Sequence, residues 1–137
     1  MAETIRKVQY FYVMAADRAG EGARALQTLK DAGVNLLAFS GFPAGKRAQL
    51  DFVPENAAAF RAAARKAKWK VVGPKIGFLV EGDDRPGVMA EILGRLATAR
   101  VNVTATDAVC AGGGRFGAIM WVKPRDVGRA AKALGAG

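Results

Sequence analysis

Apolar positions follow one order along this chain, and that order occurs twice. Residues 7–14 are rich in aromatic and β-branched side chains (Val8, Tyr10, Phe11, Tyr12, Val13), which predicts a strand. Asp17-Arg18-Ala19-Gly20 breaks it. Ala23, Leu26, Leu29 and Ala32 then recur at helical spacing, and Gly33 stands where a helix C-terminus wants glycine. Residues 34–42 and 47–53 read as strands around the turn Pro43-Ala44-Gly45-Lys46. Pro54 opens a second helix with Ala57, Phe60, Ala64 and Ala67 on its apolar side, and residues 68–72 make a short fourth strand.

After Gly73-Pro74 the order restarts. Residues 75–81 are a strand, and 85–99 a helix whose apolar face is Val88, Met89, Ile92, Leu93, Leu96 and Ala99. Strands at 101–110 and 115–122 flank the turn Ala111-Gly112-Gly113-Gly114. Pro124 opens a last helix carrying Val127, Ala130, Ala131 and Leu134, and no fourth strand follows.

The two passes are in register. Asp17 and Asp84 lie 67 positions apart (84 − 17), and Gly20/Gly87, Leu26/Leu93, Leu29/Leu96 and Asn35/Asn102 keep that offset. The predicted fold is α+β. Two ferredoxin-like βαββαβ units stand in tandem, at 1–73 and 74–137, the second lacking its last strand. Each has an antiparallel sheet with its helices on one face. In that order the first and fourth strands are neighbours, so the strand at 75–81 is left with an open edge. An open edge has to be covered. Two coverings suggest themselves: residues 68–72 running on past Gly73-Pro74, or a second copy of the chain. The second makes the expected assembly a homodimer.

Composition narrows the chemistry. With 51% apolar residues the chain can build a core, and no apolar run approaches the roughly 20 residues of a membrane span. The N-terminus lacks a secretory pattern, so the expected compartment is the cytoplasm. Cys110 is the only cysteine, which excludes an internal disulfide, and a lone cysteine beside Val109 and Ala111 reads as a small buried group. There is no histidine, which removes imidazole metal sites and the usual triads. Neither a metal nor a cofactor is expected. The net charge of +9 reads first as solvated helix faces, with attraction for an acidic partner as the remainder.

The stretch with chemical interest is Asp84-Arg85-Pro86-Gly87-Val88. Asp84 is placed to cap the helix. Gly87 has no side chain, so a small anion can approach the helix-opening amides. Asn102 follows that helix at the head of a strand, and its amide both donates and accepts, as a zwitterion requires. Asp17, Gly20 and Asn35 repeat the set. Each residue also has a plain role: Asp as helix cap, Gly as packing glycine, Asn as turn residue. Glu21 puts negative charge in the first helix's opening turn, so the second loop is the better place for an anion.

Those residues, with the strand Ile76-Gly77-Phe78-Leu79-Val80, Leu93 and Leu96, and the step Ala99-Arg100-Val101-Asn102-Val103, resemble the ACT domain, a small regulatory module that binds amino acids. The first unit is similar through Asp17, Gly20, Gly33, Val34 and Asn35, with Ala19 where the family has proline. The resemblance implies a non-catalytic regulatory protein. Its amino-acid ligand would sit at the interface between ACT-like units, near Asp84, Arg85, Pro86, Gly87, Val88, Asn102 and Val103 and near Asp17, Gly20, Asn35 and Leu36. A client enzyme, if one exists, is not named by the sequence. The alternative is RNA binding, since RNA-recognition modules share the βαββαβ order and read bases with aromatics on central strands. Gly114-Arg115-Phe116-Gly117-Ala118-Ile119 matches their signature poorly, which argues against nucleic acid. No nucleophile–base pair or phosphate loop points to an enzyme.

Overall fold

The structure is a computed structural model, described here for residues 3–137. It contains strands β1 (Thr4–Ala16), β2 (Leu36–Ala44), β3 (Arg47–Pro54), β4 (Val72–Asp83), β5 (Val103–Gly112) and β6 (Arg115–Val122). The helices are α1 (Glu21–Asp31), α2 (Ala57–Lys66), α3 (Val88–Thr98) and α4 (Val127–Leu134), the last preceded by a 3-10 turn at Pro124–Asp126. Two compact units emerge. Unit A is Gln9–Lys75, and unit B is Ile76–Gly137 together with Met1–Val8.

Unit A has strand order β2-β3-β1-β4, the ferredoxin-like order anticipated for the first repeat. Antiparallel pairing sets Phe11 opposite Phe52 and Val13 opposite Leu50. These side chains meet Leu29 of α1 and Phe60, Ala63 and Ala64 of α2, forming the unit's core. Helix α2 begins three residues later than Pro54 suggests, because Pro54 still closes β3 and Asn56 is the cap, its side chain accepting the Ala59 N–H at 3.0 Å.

Unit B has strand order β1-β4-β6-β5. Phe78 and Val80 of β4 stand opposite Met120 and Ala118 of β6, under Val88, Ile92 and Leu96 of α3 and Ala130, Ala131 and Leu134 of α4. The chain after α4 adds no strand, as the sequence indicates. The vacant place is filled from the other end of the chain. Residues 4–8, the first part of β1, run beside β4, and Ile5 enters unit B's core. The backbones approach closely there: a Cβ on Gly82 would stand 2.9 Å from the Glu3 Cβ. Arg95 of α3 adds an ion pair to Glu3 at 2.6 Å.

This changes the domain division. The N-terminal residues belong with the second repeat rather than the first. The separate strands expected at 68–72 and 75–81 are one element, β4, whose first residues serve unit A and whose later residues serve unit B. The open edge at 75–81 is closed by the chain's own N-terminus, so that edge supplies no reason for a second copy.

Asp51 of β3 is buried at 6% exposure and accepts a hydrogen bond from Gln49 Nε2 at 2.9 Å. Burial pushes its carboxyl above the ordinary range, against the Gln49 bond and the charge of Lys75. The native state therefore holds this proton more tightly than the unfolded chain. The stability that goes with the protonated form is complete below the unfolded pKa and is lost as pH rises through the higher native value. Asp51→Asn removes the titration. Urea midpoints of the two proteins should diverge in the variant's favour as pH rises across the carboxylate range. Parallel curves would refute the assignment.

Candidate functional site

Helices α1 and α3 open alike. Their N-cap residues are Gly20 and Gly87, both left-handed with φ of 90° and 81°, and neither start carries a side-chain cap. Asp17 and Asp84 are thus not the helix caps the sequence suggests. The glycines are not packing glycines either, because a Cβ at either position would meet nothing within 4 Å. They are required by the backbone sign, which glycine adopts without the penalty other residues incur. Gly87→Val therefore reports on backbone strain rather than on binding alone.

The loop at 84–87 is tied inward. Arg85 forms a two-pronged ion pair with Glu91, one bond at 2.9 Å, which holds the Glu91 carboxyl below its usual range. The Asp84 N–H donates to Gly114 O at 2.8 Å, and the Cys110 thiol donates to Asp84 Oδ2 at 3.3 Å. Arg115 donates to Asp83 at 2.8 Å, the main reason the Asp83 carboxyl lies below the ordinary range. Val88 is a core residue of unit B, and Val103 and Leu36 pack partly buried against the cores of their own units.

Asn102 and Asn35 are exposed and stand away from the loops. The place of each at the head of a strand suggests that it lies near the opening loop, and the resemblance sets it against the loop of the other unit. An 11-residue helix separates it from the loop of its own unit, about 16 Å at 1.5 Å per residue, so each asparagine lies at the opposite pole from the glycine cap. The crossover helix carries the chain back before the next strand begins. What comes beside the loop is the far end of that strand and its hairpin. The sequence reading missed Cys110, Gly114 and Arg115 for this reason, and Arg47, which in unit A lies opposite Ala16 and donates to Met14 O at 3.2 Å. The register of the repeat already held the signal, since an arginine opens β3 and β6 alike.

Cys110 is exposed rather than buried, because it lies on β5 at the sheet edge. The hydrogen bond to the Asp84 carboxylate, and then its charge, push the thiol up. Alkylation by iodoacetamide at mildly alkaline pH should be slower than for a free thiol and should accelerate in Asp84→Asn. Equal rates would show that the contact does not govern the thiol.

Electrostatics reverse the preference between loops. Around 84–87 the acids Asp83, Asp84 and Glu91 outnumber Arg85 and Arg115. Around 17–20 the acids are Asp17 and Glu21, the latter held by Arg18 and Arg24 at 3.2 Å each, and Arg47 brings the cations to three. The balance beside α1 is positive. A cavity of about 290 Å³ lies there within unit A, lined by Val13, Met14, Ala15, Glu21, Arg24, Ala25, Thr28, Leu50, Trp69 and Lys70. It brings together one carboxylate, two cations, a hydroxyl and an apolar surface. None of the eleven expected site residues lines it, although Glu21 adjoins Gly20.

The aromatic platform of an RNA-recognition sheet is not present on β6. Phe116 is in unit B's core, and Trp121, on the other face, is 6% exposed. Among the described residues no group of three or more His, Cys, Asp or Glu is placed to hold a metal, and no helix is long and apolar enough to cross a membrane.

No protein-family model and no curated protein matches the sequence. Solved structures do match the fold. A Bacteroides thetaiotaomicron protein is similar with a TM-score of 0.79 at 14% identity, over 97% of this chain and 88% of its own. The ligand-free regulatory subunit of aspartate kinase from Thermus thermophilus is similar with a TM-score of 0.65 at 17% identity, over 98% and 93%. A putative C-terminal regulatory domain of aspartate kinase from Porphyromonas gingivalis gives 0.56 at 13%, over 98% and 95%. The chain shares the fold of these aspartate kinase regulatory subunits.

Proposed function

We propose that this chain is a non-catalytic regulatory module that senses a free amino acid, and that the amino acid is held within unit A beside the first turn of α1. The observation that carries the reading is the cavity's pairing of opposite charges over an apolar lining. A free amino acid carries one carboxylate and one ammonium a fixed short distance apart. Arg24 and Lys70 suit the carboxylate, Glu21 suits the ammonium, and Val13, Ala15, Leu50 and Trp69 suit a side chain. The uncapped start of α1 adds dipole attraction for the carboxylate. The tandem ACT fold supports a regulatory role, as the matched aspartate kinase regulatory subunit illustrates for its own enzyme. On this reading the module works in the cytoplasm.

A panel of the standard amino acids in a thermal-shift assay tests the reading. A ligand present at about 100 times its Kd adds about 2.7 kcal/mol, a large and saturable rise in Tm. Glu21→Gln should abolish that rise for the same amino acid. A folded protein that responds to none of the panel would refute the reading.

A further inference from the structure

Unit A carries a second concavity, unlike the first in its charge. It has a volume of about 390 Å³ and is lined chiefly by Phe11, Ala64, Trp69 and Val71 with Arg61 and Arg65 of α2. No acidic residue lines it. The segment from Arg61 to Lys75 holds six basic residues and no acidic one. Among the described residues the ion pairs of unit A lie elsewhere, in the cluster of Arg18, Glu21 and Arg24.

Arg61 and Arg65 are four residues apart on one helix, where like charges repel. Arg65 lies in the last turn of α2, where the helix dipole offsets part of that repulsion, but among the described residues no carboxylate pairs with either arginine. The Arg61 guanidinium stands 5.5 Å from the Phe11 ring centroid. A guanidinium held over a ring by its face keeps its N–H edge for an anion. Two such groups carry two positive charges and several donors, more than a single carboxylate can use. A phosphate monoester, with about −1.5 to −2 charge and three acceptor oxygens, matches them in charge and in number. Phe11 is covered by Phe60 and Arg61, so it is Trp69 and Val71, both partly exposed, that suit a planar body attached to that phosphate, and the volume falls within the range of small-ligand pockets.

We infer that this concavity is a second ligand site, for a mononucleotide-like phosphate ester, with Arg61 and Arg65 holding the phosphate and the ring lying on the aromatic lining. It is separate from the amino-acid cavity in ligand charge and in every lining residue except Trp69.

Calorimetry with adenosine monophosphate, inorganic phosphate and adenosine as probes decides it. The monophosphate should bind at least about tenfold more tightly than either fragment, because both halves of the site are then used. Arg61→Gln and Arg65→Gln should each weaken it about tenfold or more, the loss of one charge-assisted contact. Arg65→Lys should recover only part of the loss, because an ammonium does not reproduce the fork. Arg61 and Arg65 are exposed, so all three variants should keep the parent Tm and the parent response to amino acids. That response separates failure of this site from failure of the amino-acid reading. Equal affinity for the monophosphate and free phosphate would overturn the inference, as would binding that survives both glutamine variants. A short RNA oligonucleotide binding more tightly, with steep salt dependence, would overturn it in favour of a nucleic-acid face.

Discussion

Removing the N-terminal residues through Val8 should unfold unit B. Of these, residues 4–8 occupy the last-strand position of that unit, beside β4. Their loss takes Ile5 from the core and breaks the Glu3–Arg95 ion pair. It also strips the hydrogen-bonded neighbour from β4. The apolar loss by itself is comparable to a large-to-small core substitution, about 2–5 kcal/mol. A unit of this size has total stability of the same order. The bared strand is then a template for pairing with other chains. The expected result is loss of amide protection across β4 and β6 residues of unit B, with concentration-dependent association. A synthetic peptide of residues 1–8 added in excess should restore protection, as strand addition does elsewhere. A truncated protein with undiminished protection in β4 would contradict the strand assignment.

Phe52→Ala should be the most damaging single substitution in unit A. Phe52 is fully buried and lies 5.4 Å from the Phe60 ring, 5.4 Å from Phe39 and 5.7 Å from Trp69, measured between centroids. Truncating it leaves a cavity that several aromatic rings line, and rings collapse poorly into such a space. The expected cost is about 3–5 kcal/mol, read as a fall in the urea midpoint without a change in slope. Phe42, on β2 and 44% exposed, provides the contrast. Its alanine variant should shift stability by about 0.5 kcal/mol or less. Equal effects at the two positions would mean that the packing around Phe52 is misassigned.

The repeat was open to reading because its two copies keep the same cap, helix face and strand start at one offset. That was enough for the fold class and the helix-facing cores. The shared use of β1 was hidden by its uniform character, and that of β4 by Gly73-Pro74, which reads as a break. No glycine or proline marks the passage from Val8 to Gln9. Length was the available signal: β1 has 13 residues and β4 has 12, about twice a typical strand. A strand that long has room to serve two units. Gly20 and Gly87 were visible as a pair, but whether they served packing, an approaching anion or a left-handed backbone is decided by φ, which no residue pattern states. The two concavities of unit A were out of reach for a different reason. Met14, Glu21, Leu50 and Trp69 come from separate elements, and each is ordinary in its own segment. Only the packing of α1 against β1 and the segment after α2 brings them together.

Amide shift mapping reads directly where the amino acid binds. With uniformly nitrogen-15-labelled protein and the amino acid that raises Tm most, the largest shifts should fall on Glu21, Arg24, Thr28 and Lys70 and saturate together. The indole N–H of Trp69 should move with them, and Glu21→Gln should silence the set. Shifts centred instead on Arg85, Gly87 and Val88, with Asn102 and Val103, would contradict the assignment to unit A.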